Sequence, residues 1–475
     1  MKILLVKPKA RLKTINKLNA LILLEPLELG YVAAAVPPGH ETEVLDLRLT
    51  RFPDRAFRKA LKIKQPDIVG ISGYTHEVTK VIELAAMVRK CSPKTCVVVG
   101  GHHATVLPDD YNRGEFNAIV RGEGCAPFRA IIERLEAGKE LNTIEHVLVP
   151  GKHYDYKKAK RLPVFPSPDE LPNPRRDLWN SKPYRCVWPC EKHQDWQTIF
   201  PQVALLRTSF GCYMSCNFCV VPMLSQKRHM PRDPKKVVDE LQSIEQQHVY
   251  LCDDETFINP GHAWAVAREI EKRGIKKRYF AWARSTTVNR HPELFEFWRG
   301  IGLDCVFLGM EAVTDQQLKD LSKQSSVEEN QKAHQALLNM EISVQAGFMV
   351  NADYGEEEFS ALFEYLKHLP SAQVTCTVFT PSPGSQAWHS EKKNYICHPY
   401  DLHDCMHPLT NTRMPLKKFY RWFSQTATIG GKRNPLRSME NRLLIGDVFL
   451  IIRAITGYSR ALKNAWKDFP KTQRS

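Results

Sequence analysis

Arg207-Thr208-Ser209-Phe210-Gly211-Cys212-Tyr213-Met214-Ser215-Cys216-Asn217-Phe218-Cys219 follows a short apolar run that begins at Val203 and reads as a β-strand. Its C-x-x-x-C-x-x-C spacing lets one loop turn three sulfurs onto a single inorganic centre. A zinc ion would normally take a fourth ligand, and no C-x-x-C or H-x-x-x-H pair follows nearby. Three thiolates on an iron–sulfur cubane would leave one iron open to a substrate or cofactor. Two plainer readings stay open: a chance cluster of cysteines, and a zinc site with a distant fourth ligand.

Downstream, short apolar runs alternate with helical patterns. Val203–Arg207, His248–Leu251, Tyr279–Ala283, Cys305–Met310, Ser343–Val350 and Val374–Thr380 read as strands. Pro234–Gln247, Trp264–Arg273, Pro292–Gly300 and Glu328–Glu341 read as helices between them. Such βα units specify a partial (β/α)6 barrel, in which chemistry gathers at the carboxyl ends of the strands. The cysteine loop follows the first of these strands.

Upstream, Ile3–Val6, Glu43–Leu47, Asp67–Ser72, Cys96–Gly100 and Ala118–Arg121 read as five strands joined by helices over Asp54–Lys64, Val78–Lys90 and Pro127–Ala137. Val/Ile-rich runs without alternation are the mark of strands buried on both faces, so an α/β, doubly wound parallel sheet of Rossmann-like type is expected. Ligands of such sheets lie beyond the carboxyl ends of the strands. Here those ends run into Ser72-Gly73-Tyr74-Thr75, Gly100-Gly101-His102-His103 and Gly122-Glu123-Gly124. The alternative is that these glycines only make tight strand-to-helix turns. The expected order is a ligand-binding domain over 1–145, a proline-rich connector over 146–200, the barrel over 201–400 and a basic, mainly helical C-terminal region over 401–475.

In this place and spacing the cysteine motif resembles the radical S-adenosylmethionine (SAM) superfamily. The resemblance implies that Cys212, Cys216 and Cys219 hold a [4Fe-4S] cluster whose open iron takes SAM, which is cleaved to a 5′-deoxyadenosyl radical. It further implies that Phe218 lies beside the adenine, that Asp253 and Asp254 of Asp253-Asp254-Glu255 serve the methionine amino group, that Arg284 pairs with the carboxylate and that Glu311 binds the ribose hydroxyls. Taken singly, each charged residue would look the same as a surface carboxylate or an interstrand ion pair.

A doubly wound domain ahead of such a barrel resembles the cobalamin-binding class of the superfamily. Ser72, Gly73, Tyr74, Thr75, Gly100, Gly101, His102, Gly122, Glu123 and Gly124 would then cradle cobalamin. Cobalamin proteins that ligate cobalt through a protein imidazole carry Asp-x-His-x-x-Gly after an early strand. This chain has Asp46-Leu47-Arg48, and a guanidinium has no lone pair to give. No histidine ligand is expected from that loop.

Leu24–Tyr31, Gly100–Thr105, Lys276–Arg284 and Thr380–Ser385 are similar to hopanoid C-3 methylases and their neighbours. That resemblance implies a cobalamin-dependent C-methyltransferase acting on an unactivated carbon of a hopanoid-type lipid or natural product. It also implies a small-molecule or lipid substrate and a reducing partner such as a flavodoxin or ferredoxin. The alternatives are a cobalamin-dependent rearrangement, cyclisation or oxidation, an RNA-modifying methylthiotransferase-like enzyme, and a non-catalytic cobalamin or iron–sulfur sensor.

The composition agrees with folded domains: 475 residues, 43% hydrophobic and 25% charged. Thirteen cysteines without an export signal point to reduced thiols and a cytoplasmic protein. The net charge of +15 is concentrated late: residues 413–475 carry 14 basic against 3 acidic side chains. A basic tail argues against a general nucleic-acid surface. Within it, Met439–Trp466 reads either as a helix packed on the barrel or as an amphipathic helix making peripheral contact with the inner membrane surface. Thr380 and Ser382 are candidates for a substrate wall, and the C-x-x-x-C of Cys186 and Cys190 reads as two ordinary thiols.

Overall fold

The structure, a computed structural model, describes residues 1–188, 200–369, 373–396, 400–432 and 445–473. They fold into two compact units. The first takes 1–12, 26–180 and 400–404. The second takes 13–25, the described parts of 181–396, and 405 onward. The proline-rich stretch is thus shared between them, and the chain passes from unit to unit several times.

In the first unit, β1 (Lys2–Lys7), β2 (Glu41–Asp46), β3 (Ile68–Ser72), β4 (Cys96–Gly100), β5 (Ala118–Val120) and β6 (Val147–Leu148) lie in the order β2-β1-β3-β4-β5-β6. All pairs are parallel except β5 with β6. That two-residue antiparallel edge was not legible as a strand in the sequence. Helices α1 (Leu27–Ala34), α2 (Pro53–Lys64), α3 (Val78–Cys91) and α4 (Cys125–Glu136) cover both faces. Successive strand residues enter opposite layers. Leu4, Val6, Val69, Ile71, Val97 and Val99 pack with Phe57 and Leu61 of α2 and Val81 and Leu84 of α3. Ile3, Leu5, Ile68 and Val98 pack with Leu29 of α1 and Phe128 and Ile131 of α4. This two-sided burial explains the unbroken apolar runs. The order reverses between β1 and β3, so the crevice for a ligand opens beyond Lys7 and Ser72.

The second unit is built on six parallel strands in consecutive order: β7 (Val203–Leu206), β8 (His248–Leu251), β9 (Arg278–Ala283), β10 (Leu303–Glu311), β11 (Ser343–Val350) and β12 (Gln373–Val378). Helices α5 (Pro234–Ser243), α6 (Pro260–Lys272), α7 (Pro292–Gly300), α8 (Val327–Asn339) and α9 (Glu356–His368) run between them. This is the expected open (β/α)6 barrel. Trp188 is buried at the amino-terminal ends of the strands. Its indole donates to Asp304 Oδ2 at 3.0 Å and meets His248 and Phe280 edge-on. The opposite, carboxyl-terminal end carries the site.

The C-terminal region is helical, with α10 (Leu416–Lys432) and α11 (Ile445–Lys463). In α11, Ala454 and Leu462 are buried while Ile452 is 53% exposed. Residues 439–444 of the expected helix lie outside the described residues, as does Cys190. Among the described residues no helix is long and apolar enough to cross a membrane.

Candidate functional site

The cysteine loop is spanned by a small hairpin that the sequence did not reveal, Ser209–Phe210 against Met230–Pro231. Gly211 enters the loop at φ +81°, where a Cβ would collide with the Arg228 carbonyl oxygen and approach Ser225 Cβ at 2.6 Å. Only glycine suits that position. Ser225 Oγ donates to Cys212 O at 3.3 Å, and Cys219 N donates to Cys216 O at 3.2 Å. Asn217 fastens the far side, its backbone N–H to Leu321 O at 3.2 Å and its Nδ2 to Asp320 O at 2.6 Å. All three thiols are partly accessible and unbridged. Burial pushes Cys212 up to about 11 and Cys219 up to about 12, so both are neutral thiols at pH 7 unless a metal takes their protons.

Among the described residues no group of three His, Cys, Asp or Glu side chains is gathered on one point as a single-ion site requires. A cubane asks for something else, with each thiolate bonding a different iron. Arg284, at the end of β9, donates from Nη1 to Cys216 Sγ at 3.3 Å and from Nη2 to Lys323 O. A guanidinium beside a sulfur is the charge complement that a ligating thiolate needs.

The acidic run after β8 separates into different jobs. Asp253 is 4% exposed and grips the loop: Oδ1 accepts from Thr208 N at 2.7 Å and Ser209 N at 2.9 Å, and Oδ2 from the Thr208 hydroxyl at 2.8 Å. Asp254 Oδ2 accepts from Gly211 N at 2.8 Å. Both carboxylates thus help to hold the cysteine loop, Asp253 through both of its oxygens and Asp254 through one. Glu255, to which the sequence reading gave no role of its own, is 4% exposed. Its Oε1 accepts from Arg284 N at 3.3 Å, and Thr287 also hydrogen-bonds the carboxyl. Burial pushes Glu255 up to about 8. Arg284 Nε is buried without an acceptor. A buried carboxyl beside a guanidinium with an unsatisfied N–H donor suits a ligand that carries both an ammonium and a carboxylate.

Glu311 ends β10 at a register shift and pairs through Oε1 with Lys323 Nζ at 2.7 Å. Phe218 packs against Ala312, Leu318 and Leu321, the first of these one residue from Glu311 in the chain. Cys216, Arg284, Lys323 and Glu311 thus share one network of polar contacts at the strand ends. Thr380, by contrast, gives its hydroxyl to Val378 O and His407 O, both at 3.0 Å.

In the first unit the three glycine-bearing loops interlock. Gly101, at φ +99°, lies where a Cβ would be 2.9 Å from both Gly73 O and Ser72 Oγ. Thr105 Oγ1 donates to Gly101 O and accepts from Gly122 N, each at 2.9 Å, tying the loops after β4 and β5 together. Glu123 accepts from Cys125 N at 2.8 Å, and Gly124 precedes α4. Thr75 Oγ1 lies 3.3 Å from Nδ1 of the buried His103, whose Nε2 is 3.0 Å from Asp110. Tyr400 also donates to Asp110, at 2.7 Å. Tyr74 is half exposed, with Lys7 Nζ 4.4 Å from its ring centroid and His102 edge-on to it. Arg48 folds back onto Asp46, Nη2 to Oδ2 at 2.6 Å, so the position that elsewhere offers an imidazole is filled by an ion pair.

Burial lowers His102 to about 4, and its Nε2 has no partner. A histidine whose folded pKa is depressed contributes stability above its unfolded value of 6.5 and loses it as the pH falls towards 4. The apoprotein's thermal midpoint is expected to drop across that interval, and H102Q to flatten the drop in a pH series of melting curves. An unchanged slope in H102Q would remove His102 as its source.

Residues 14–132 match the B12 binding domain family, and residues 206–366 match the radical SAM superfamily. The chain is 26% identical to the hopanoid C-3 methylase of Methylococcus capsulatus, over 98% of this chain and 87% of that one. It is 27% identical to the anaerobic magnesium-protoporphyrin IX monomethyl ester cyclase of Rubrivivax gelatinosus, over 76% of this chain and 65% of the cyclase. The structure of the cobalamin-dependent SAM radical enzyme OxsB superposes over the whole chain and 82% of its own length, with a TM-score of 0.66 at 14% identity.

Proposed function

We propose that this chain, a member of the cobalamin-dependent radical SAM enzymes, is a C-methyltransferase that acts on an unactivated carbon of a small-molecule or lipid substrate. The observation that carries the reading is the joint placement of Cys216, Arg284 and Glu255: a sulfur, the guanidinium 3.3 Å from it, and a buried carboxyl that accepts from the Arg284 backbone N–H. Cys212, Cys216 and Cys219 would hold the cluster. Glu255 would take the SAM ammonium, Arg284 its carboxylate, and Glu311 the ribose hydroxyls, with Phe218 beside the adenine. Asp253 and Asp254 keep the loop in shape. In the first unit, Ser72–Thr75, Gly100–His102 and Gly122–Gly124 would cradle cobalamin. When bound, these groups supply an adenosyl radical that can take hydrogen from an unactivated carbon, and a transferable methyl group. The protein's own share is to bind, orient and exclude water, and no side-chain acid or base is required.

The hopanoid C-3 methylase supports a polycyclic lipid as the substrate class. The cyclase relative supports a second reading, oxidative ring closure. Anaerobically reconstituted protein, given SAM, a reductant such as reduced flavodoxin or ferredoxin, and a hopanoid-containing lipid extract, is expected to yield a product one CH₂ unit heavier by mass spectrometry. A product that has lost hydrogen without gaining carbon would replace methylation by the second reading.

With Arg48 committed to Asp46, cobalamin would be held without a histidine ligand to cobalt. Electron paramagnetic resonance of the cobalt(II) form is expected to lack nitrogen superhyperfine structure from the protein; its presence in wild type and loss in H102Q would overturn this.

A further inference from the structure

Between the short helix Asp315–Asp320 and α8, residues 321–325 cross the site, and Lys323 sits in them 6% exposed. Its neighbours Ser322 (φ +53°) and Gln324 (φ +55°) are both left-handed, as is Glu311 (φ +64°). Ser322 is the ordinary left-handed cap of the Asp315–Asp320 helix, with Ser322 N donating to Lys319 O at 2.9 Å and Lys323 N to Leu318 O at 3.0 Å, which fixes where Lys323 leaves it. Further bonds converge on Lys323. Its Nζ holds Glu311 Oε1 at 2.7 Å, while its carbonyl accepts from Arg284 Nη2, whose Nη1 reaches Cys216. The carbonyls of the two residues flanking the start of this stretch, Asp320 and Leu321, anchor Asn217 of the cysteine loop. The strand is cleared for the ion pair: a Cβ at Gly309 would lie 2.5 Å from Glu311 Oε1 and 2.8 Å from Lys323 Nζ. Glu311 Oε2 has no partner among the described residues.

We propose that Lys323 is a positioning residue for SAM binding, pinning one oxygen of Glu311 so that the other faces the nucleoside hydroxyls, and fixing through its carbonyl the Arg284 fork against the cluster loop. This rests on the reading of Glu311 and Arg284 as SAM contacts. Unlike a lysine that merely fills space, it acts through Glu311, and that coupling is measurable.

The test uses anaerobic holoprotein, with iron and cobalamin quantified, and follows the SAM-induced change in the reduced cluster's paramagnetic resonance spectrum as SAM is titrated. K323M is expected to keep its iron and cobalamin and to need about tenfold more SAM, whereas in an E311Q background the same change should cost less than about threefold, the signature of coupled residues. K323R, which keeps the charge but alters its reach, should fall between wild type and K323M. If E311Q alone leaves the titration unmoved, the parent reading of Glu311 fails. If E311Q weakens SAM binding and K323M does not, this proposal fails. Equal losses from K323M in both backgrounds would make Lys323 a direct SAM contact and overturn the positioning role. Loss of iron in K323M and K323R alike would make it a structural residue only.

Discussion

Replacing Cys216 with serine is expected to abolish reductive SAM cleavage while leaving the protein folded and able to bind cobalamin. Cys216 is partly accessible, so the exchange opens no buried void, and an effect on stability within about 1 kcal/mol is expected. The chemical loss is of another order. A cubane deprived of one of three thiolates is not retained, and removal of the reacting centre should lower 5′-deoxyadenosine formation by more than about a thousandfold. Iron and sulfide analysis with chromatographic detection of 5′-deoxyadenosine checks both parts. Cys186 is the control: buried in its strand pair and pushed up to about 12 by burial, it should tolerate alanine with cluster and SAM cleavage intact. A C216S protein with full iron and normal cleavage would refute the three-thiolate centre.

Asp253 offers the second large effect, and it separates a structural grip from a ligand contact. Alanine there strands two amide N–H groups and a hydroxyl, on Thr208 and Ser209, which are 2% and 1% exposed. At about 1–3 kcal/mol for each unsatisfied buried group, discounted for shared relaxation, D253A should lose about 3–5 kcal/mol of stability and fail to hold a cluster. Asparagine can keep most of the grip. Its carbonyl oxygen accepts from both amides, and the Thr208 hydroxyl can turn to accept from the new NH₂. Burial already raises the Asp253 carboxyl above its usual range, so losing the charge carries little penalty. D253N should therefore keep its cluster and bind SAM within about threefold of wild type by the same titration. A loss beyond about tenfold in D253N with full iron would return Asp253 to the SAM contacts.

Strand positions were legible in the sequence because two-sided burial writes itself as short, mainly apolar runs. Cys96–Gly100, His248–Leu251 and Ser343–Val350 need no adjustment of their bounds. The cysteine loop was legible because three thiols at this spacing stand out from the surrounding sequence. Burial and bond direction were not. In the run Asp253-Asp254-Glu255 the residue types are nearly equivalent, and only the fold shows that two carboxylates turn back onto the loop while the third faces the backbone N–H of Arg284. Lys323 was equally silent, since one lysine in a polar stretch looks like any surface lysine until the fold buries it against the Glu311 carboxylate. The hairpin around the cysteines escaped notice because each arm is only two residues long.

The late return of residues 400–404 to the first unit, where Tyr400 hydrogen-bonds Asp110, has a consequence for biosynthesis. A nascent chain emerges from the ribosome amino end first, so the first unit is completed by a piece made after all six of the barrel's strands. Its maturation is thereby timed to follow theirs, and a fragment ending at residue 145 would emerge with Asp110 and the buried His103 missing their closing tyrosine.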